Sequence, residues 1–314
     1  MRWLLATAVF GCAVFGCAVS GCAISGCAAG PTGGQQPARP VPPPSEAARP
    51  PAETAIALPG GASSLWWDAA AATLYLTDSN ASALMAWTDA GGFQLASALP
   101  AGPAGVSLGG IVRRPDGSFV VASFGFGTEG GMFSVARGTA TALTGLDPAR
   151  RRVGLAQDSE GVLYSVYFTG MRGTVPSGGV ASVAIAGTAA TETEITSGFH
   201  KAVGVAATPT AVFVADQTDK AIFKVAVPGY AVSRLATVPA VDLLMLLPGG
   251  DLLTGGGPAI ARITQRGEVS TLPGPVFEQV RGLAYDAQGK RLFVIDHSLT
   301  VGVPDKLRIV PLAE

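Results

Sequence analysis

The chain contains two histidines, His200 and His297, and these are its clearest candidates for acid–base chemistry. An imidazole can take a proton from a bound substrate near neutral pH, and a neighbouring carboxylate can orient it for that task. His297 directly follows Asp296, which makes this pair the most enzyme-like in the sequence. Adjacent side chains on a strand point to opposite faces, so the pair works only if the chain turns there. We therefore assign no catalytic residue from sequence, and two histidines exclude a metal centre built from several imidazoles.

Seven polar residues are predicted to surround one ligand-binding surface, because they lie before the first strands or after the second strands of a repeated β unit. They are Asp78, Arg152, Tyr167, Arg172, His200, Asp216 and Arg281. Arg151 and Lys201 lie beside them, and the arginines at 150–152 suit an anionic ligand. A solvated turn explains those arginines as well, and a solvated histidine explains His200. Asp78, Asp216 and Asp296 end equivalent strands, so the alternative for them is a structural role in turns.

Composition narrows the classes of function. The formal net charge is −1, and only 14% of residues are charged, so no basic field is present to hold nucleic acid. All four cysteines lie within the first 27 residues. The rest of the chain therefore has no disulfide, no thiolate metal site and no cysteine nucleophile. No cofactor or metal is assigned from the residues themselves.

The N-terminus is typical of an exported protein. Arg2 precedes an uncharged apolar stretch, and small residues follow that stretch. The segments VSGC (19–22) and ISGC (24–27) resemble the bacterial lipobox, which implies cleavage before Cys22 or Cys27 and acylation of that cysteine. Residues 1–27 are thus predicted to form a lipoprotein signal and anchor. A retained transmembrane helix is the alternative, because the apolar stretch is long enough to span a bilayer.

Residues 28–53 are predicted to be a proline-rich linker. They contain almost no large apolar side chain, so they bury too little surface to offset the entropy of ordering. Such a segment is extended and semi-rigid. It would hold a folded domain away from the membrane.

Residues 54–314 repeat at intervals of about 40 to 50 residues, a spacing typical of propeller blades. Each unit opens with a short apolar segment, often headed by glycine: SLWW (64–67), GIV (110–112), GLA (154–156), GVA (204–206), DLL (242–244) and GLA (282–284). A turn and a second apolar strand follow: LYLTD (74–78), FVVAS (119–123), VLYSVYF (162–168), VFVAD (212–216), DLLTG (251–255) and LFVID (292–296). No stretch shows sustained helical periodicity. The pattern predicts an all-β fold, a six-bladed β-propeller.

The two ends of this region predict how the ring closes. The last unit stops after its third strand, at Leu312, and an unpaired strand at 55–59 precedes the first unit. Each feature explains the other if the N-terminal strand completes the last blade. Such closure also removes exposed strand edges.

The G-h-A opening (h, hydrophobic), the D-x-x-G turn and the strand ending h-Y/F-h-h-D resemble the senescence marker protein/gluconolactonase/NHL-type superfamily of six-bladed propellers. LYLTD is also similar to the YWTD repeat of receptor propellers. The resemblance implies this fold over residues 54–314. The resemblance also suggests calcium-dependent lactone hydrolysis. In enzymes of that family, carboxylate or amide side chains at the starts of the inner strands hold one calcium ion. The matching positions here are Ser63, Gly109, Val153 and Val203, so the ligand set is not carried over.

Two functions follow from the sequence. The first is a membrane-tethered, extracytoplasmic binding module. Its predicted ligand is a small molecule, a glycan or a protein at the mouth of the central channel, and the chain is predicted to be monomeric. The second is a lactonase- or esterase-like hydrolase that uses His297 or His200, or a metal held by a set including Asp216 or Asp242. The expected location is the bacterial cell envelope, on the periplasmic side or the cell surface, with attachment through the lipid anchor.

Overall fold

The computed structural model describes residues 53–103, 105–125, 127–170 and 173–312. Every regular element among these residues is a β-strand, and the strands form six four-stranded antiparallel sheets. Five sheets are built from consecutive strands, in the order first, second, third and fourth. The sixth sheet has the order β1-β24-β23-β22. The predicted all-β propeller with six blades is confirmed.

The first three blades contain β2 to β13. Blade 1 has β2 (Ala62–Asp68), β3 (Thr73–Asp78), β4 (Ala83–Thr88) and β5 (Gly92–Ala98). Blade 2 has β6 (Ser107–Arg113), β7 (Phe119–Phe124), β8 (Gly131–Ala136) and β9 (Thr139–Ala142). Blade 3 has β10 (Arg151–Gln157), β11 (Leu163–Thr169), β12 (Ser177–Ala186) and β13 (Ala189–Phe199).

The other three blades contain β14 to β24 and β1. Blade 4 has β14 (Ala202–Thr208), β15 (Ala211–Asp216), β16 (Ala221–Ala226) and β17 (Val232–Thr237). Blade 5 has β18 (Leu244–Leu246), β19 (Leu252–Thr254), β20 (Ala261–Ile263) and β21 (Val269–Thr271). Blade 6 has β22 (Val280–Asp286), β23 (Arg291–Asp296), β24 (Lys306–Pro311) and β1 (Thr54–Ala57).

The second strands are continuous apolar runs because neighbouring blades cover both of their faces. Every residue of β15 is buried, whereas β21 on the outside of blade 5 is fully exposed. Six apolar clusters form the core, and each joins two adjacent blades. The core is therefore a ring, and the first strands lie innermost around a central channel. We call the face on which the first strands begin the upper face and the opposite one the lower face.

The ring closes between the two ends of the described chain. In the register of β1 and β24, Thr54 lies opposite Ile309 and Ala57 lies opposite Lys306. The backbone N–H of Leu58 then donates to the carbonyl of Asp305 at 2.8 Å. Leu58 is buried in the cluster shared by blades 6 and 1. The predicted closure by the N-terminal strand is confirmed.

Several predictions fall on residues outside the described ranges. These are the lipoprotein signal at residues 1–27 with Cys22 and Cys27, the linker up to residue 52, and Arg172. At its other boundary the linker reaches Glu53, which pairs with Arg308. In the part of the chain that the structure describes, no helix is long and apolar enough to cross a membrane.

Candidate functional site

The starts of the inner strands share one irregularity, which positions the residues around the upper end of the channel. In five of the six blades a register shift interrupts the pairing of the first and second strands at this level, for example between Arg152 and Gly154 and between Val280 and Leu283. A β-bulge re-aims the side chains beside it. Arg281 lies in the shifted segment of β22, in the place that Ser63 occupies in β2.

Cationic side chains gather at this end of the channel. The Arg151 guanidinium carbon lies 4.8 Å from the centre of the Phe168 ring, and the Lys201 ammonium lies 5.8 Å from the same centre. Lys201 directly precedes β14, the first strand of blade 4, and Arg281 is the second residue of β22, the first strand of blade 6. Asp242, which precedes the inner strand of blade 5, is electrostatically coupled to both. We call the group of Arg151, Lys201, Asp242 and Arg281 the channel mouth.

Asp242 is the one acid of the channel mouth. Burial raises the pKa of its carboxyl from 3.8 to about 6, and the charges of Arg281 and Lys201 only partly offset that rise. Desolvation penalises the ionised form of an acid, whereas nearby cations favour it. A carboxyl that titrates near neutrality in a channel is a feature of functional sites.

Lys201 and Arg281 differ from the other half-buried cations of the fold. Arg291 pairs with Asp286 at 2.9 Å, and Arg308 pairs with Asp296 at 2.8 Å. Within the described ranges, the side chain of neither Lys201 nor Arg281 forms a hydrogen bond or an ion pair. A half-buried cation without a partner retains its capacity to bind an anion.

Asp242→Asn is expected to change the pH dependence of stability. Because the folded-state pKa is raised, the stabilising contribution of protonated Asp242 is complete below pH 3.8 and is lost as pH rises through about 6. The asparagine variant stays neutral, so we expect it to exceed the wild type at pH 8 by about 1–3 kcal/mol in free energy of unfolding. Urea denaturation at pH 4 and pH 8 measures this. A difference between the two proteins that is the same at both pH values would contradict the prediction.

A polar cleft lies beside the channel mouth, where blades 6 and 1 meet. We call it the closure cleft; its volume is about 510 Å³, and its lining includes Ser63, Asn80, Arg281 and His297. The Nδ1 atom of His297 lies 2.9 Å from Oδ1 of Asp305. A carboxylate therefore does orient this imidazole, but it belongs to Asp305 and not to the adjacent Asp296.

His200 has a similar arrangement on blade 4. Its Nδ1 atom lies 2.9 Å from Oδ1 of Asp219, and its side chain is half exposed. Asp216 lies close enough to form a group of three possible metal-ligating residues with them. The carboxylate of Asp216 already accepts hydrogen bonds from the backbone N–H groups of His200, Lys201, Thr218 and Asp219. Those bonds account for its burial, so we assign no metal to this group.

The aspartates that end second strands have structural partners. Asp78 is buried and accepts the N–H groups of Asn80 and Ala81 at 2.9 and 3.1 Å. Asp296 accepts the N–H of Glu278 at 2.7 Å and pairs with Arg308. These contacts match the structural alternative for the three aspartates, because side-chain capping of a turn satisfies backbone donors that would otherwise be buried alone.

Arg152 and Tyr167 point into blade 3 and not into the channel mouth. Arg152 has no exposed surface and holds Glu192 through two hydrogen bonds, of 2.8 and 2.6 Å. The Tyr167 hydroxyl donates to Glu194, and burial followed by this bond raises the pKa of the phenol. Arg150 stacks on the Tyr167 ring at 3.9 Å. Since neither Arg152 nor Tyr167 has appreciable exposed surface, their predicted contact with a ligand requires correction.

Of the predicted binding residues, the structure therefore brings Arg281 to the channel mouth and leaves His200 exposed nearby on the same face. Sequence reasoning missed Asp219 and Asp305 as histidine partners. The signal was weak, because these carboxylates lie 19 and 8 residues from the imidazoles that they contact. From the sequence, Asp242 was predicted only as a possible metal ligand.

The starts of the inner strands do not fit a calcium ion. Calcium takes six to eight oxygen ligands, whereas the four matching positions offer a single side-chain hydroxyl, on Ser63. A Cβ on Gly109 would lie only 2.5 Å from the carbonyl oxygen of Val153, so the backbones are in contact there. Lys201 and Arg281 add charge of the same sign as the metal. We derive no chemistry from calcium at this position.

Solved structures share this fold. A gluconolactonase from Xanthomonas campestris superposes with a TM-score of 0.64 at 17% identity, over 85% of this chain and 92% of that chain. Regucalcin, a calcium-binding protein from Agrobacterium tumefaciens, gives 0.62 at 14% identity, over 80% and 91%. An auxiliary nutrient binding protein from Bacteroides thetaiotaomicron gives 0.58 at 14% identity, over 80% and 69%.

These similarities confirm the predicted resemblance to gluconolactonase-type propellers at the level of the fold. Identities this low show the fold alone, because one fold hosts many unrelated functions. No protein-family model matches the chain. No curated protein sequence matches it either.

Proposed function

We propose that this protein is a binding module that holds a small anionic molecule at its channel mouth. The observation that carries the proposal is the pair of half-buried cations, Lys201 and Arg281, whose side chains form no hydrogen bond or ion pair among the described residues and interact electrostatically with Asp242. A carboxylate or phosphate placed between them would gain charge-assisted hydrogen bonds from two blades. Arg151 on the neighbouring blade adds positive charge to the same surface.

The protein would act outside the cytoplasm, attached to the cell envelope. The lipobox-like segments at Cys22 and Cys27 support export and lipid attachment to the cell envelope. The similarity to an auxiliary nutrient binding protein is in keeping with capture of a small molecule outside the cytoplasm. The ligand is more compatible with a free small molecule than with a polymer, because the cations lie inside the mouth of a channel. We propose a monomer, since the closed ring leaves no strand of blade 6 without its pairing.

Binding of citrate, glucuronate and inorganic phosphate by titration calorimetry tests the proposal. We expect at least one of these anions to bind, and Lys201→Gln and Arg281→Gln each to weaken it about 10- to 100-fold, because a hydrogen bond to a charged group contributes about 1.5–3 kcal/mol. Arg266→Gln, an exposed arginine on the turn between β20 and β21, is the matched control and should bind as the wild type does.

Calcium provides the opposing arm of this experiment. A ligand at a hundredfold its dissociation constant stabilises the native state by about 2.7 kcal/mol, a rise in Tm of roughly 5–11 °C for a domain of this size. We expect no such rise with calcium. A calcium-dependent rise, or anion binding that survives neutralisation of both cations, would overturn the proposal.

Hydrolysis of an ester or lactone is the second candidate function. The observation that favours it is the 2.9 Å contact between His297 and Asp305 in the closure cleft, next to Arg281. The Asp305 carboxylate would hold the imidazole so that its other nitrogen takes a proton from water. If any ester or lactone is turned over, loss of turnover in His297→Gln with ligand binding retained would favour this candidate over a binding module.

A further inference from the structure

Three of the glycines that begin the repeated apolar segments lie where neighbouring inner strands approach each other most closely, in the middle of the channel. A Cβ on Gly110 would lie 2.5 Å from the amide nitrogen of Leu155, and one on Gly154 would lie 2.6 Å from the carbonyl oxygen of Val203. A Cβ on Gly204 would lie 2.3 Å from the carbonyl oxygen of Asp242. Adjacent inner strands therefore meet backbone to backbone at this level, which only glycine permits.

A second cavity occupies the channel below these glycines. Its volume is about 420 Å³, and we call it the lower cavity. Its wall includes the aromatic residues Trp66, Trp67 and Tyr285, the flexible side chain of Met245, and Gln157. Among the residues that the structure describes, none of those lining the cavity is charged. The volume lies within the range of small-molecule sites, roughly 300–1,000 Å³.

The inner strands also supply polar groups to this wall. Each inner strand is at the edge of its sheet and hydrogen-bonds to a neighbour on one side only. Its free edge therefore offers backbone N–H and C=O groups toward the channel. Gln157 donates its Nε2 hydrogen to the carbonyl of Gly161 at 2.9 Å, which leaves its side-chain oxygen as an acceptor. The lower cavity thus combines aromatic surface with neutral donors and acceptors.

We propose that the lower cavity is a separate binding site for a neutral, ring-containing small molecule. The half-buried rings of Trp66 and Trp67, which also pack against Phe119 and Phe293 in the blade cores, give the wall apolar surface for a flat ring, and the backbone edges favour a ligand with its own hydrogen-bonding groups. A charged ligand would lose hydration without meeting an opposite charge. The site is distinct from the channel mouth, because Lys201, Asp242 and Arg281 do not line it.

Saturation-transfer NMR with indole tests this site on the whole protein, with indole-3-acetate and tryptamine as charged comparators. We expect transfer to indole at millimolar concentration. In the double variant Lys201→Gln with Arg281→Gln, where the channel mouth no longer holds an anion, we expect at least fivefold less transfer to either charged analogue. Ala287 is an exposed residue at the lower rim of the cavity. Ala287→Trp should therefore block the opening without disturbing the core and abolish transfer, whereas Ala287→Ser should retain it.

Further variants separate this site from the channel mouth. Lys201→Gln and Arg281→Gln should leave transfer to indole unchanged, and circular dichroism verifies that Ala287→Trp remains folded. The absence of transfer to indole, equal transfer to the charged analogues in the double variant, or full transfer in folded Ala287→Trp would each overturn the inference. None of these results bears on anion binding, which is measured at the other end of the channel.

Discussion

Glu192→Ala is expected to lower the free energy of unfolding by about 3–5 kcal/mol, because it leaves a buried arginine without its counter-charge. Arg152 is fully buried. Its Nε and Nη2 atoms bind the Glu192 carboxylate at 2.8 and 2.6 Å, and its remaining donors reach the carbonyls of Arg150 and Asp147 at 3.0 and 2.9 Å. The two carbonyls cannot replace the lost negative charge. Equilibrium denaturation in urea measures the loss.

The exposed pair Arg262–Asp251 is the matched control. Its atoms are also close, at 2.7 Å, but 45% of the Arg262 side chain is exposed. Arg262→Ala should therefore cost less than about 1 kcal/mol. Replacing both buried partners, Arg152→Met with Glu192→Leu, should recover most of the stability, because no buried charge then remains. A Glu192→Ala loss as small as that of the exposed control would show that Arg152 rehydrates, and would contradict the prediction.

Arg152 illustrates what sequence alone could not place. Its position at the start of an inner strand was predictable from the repeat, and that position favoured contact with a ligand. Its actual partner, Glu192, lies 40 residues later on the outermost strand of the same blade. Nothing in the local sequence links the two residues. The two side chains meet only in the folded blade, where the β12–β13 hairpin carries Glu192.

The architecture, in contrast, was predictable because it repeats. A single apolar segment such as VFVAD is ambiguous, but six similar segments at blade spacing are compatible with one closed ring. The repeat also predicted that Asp78, Asp216 and Asp296 occupy equivalent places. Their turn contacts follow from that equivalence and needed no knowledge of distant partners.

The histidine pairs lie between these two cases. Sequence indicated that a carboxylate could orient His297, and the structure provides one, but from Asp305 across an eight-residue loop. Asp296 is unavailable because it accepts the N–H groups of Glu278 and Gln279. Loop conformation decides such contacts, and a repeat pattern carries little information about loops.

Removal of β1 is expected to have the other large effect, because this strand closes the ring. A chain that starts at Gly60 loses the four paired positions between β1 and β24 and the buried side chain of Leu58. Burial of one such leucine alone contributes about 1.5–3 kcal/mol. With the strand pairing added, we expect a loss of about 4–6 kcal/mol relative to a chain that starts at Glu53. Urea denaturation of the two chains measures the difference.

The missing strand also changes how the protein associates, because it exposes the whole edge of β24. Free N–H and C=O groups on a strand edge pair readily with another chain. We therefore expect the shorter chain to form dimers or larger species in size-exclusion chromatography, and the chain from Glu53 to remain monomeric. If both chains were monomeric and equally stable, closure by β1 would be incidental to the ring. Recovery of a monomer on adding a synthetic peptide of residues 53–59 would instead show that this strand alone supplies the missing edge.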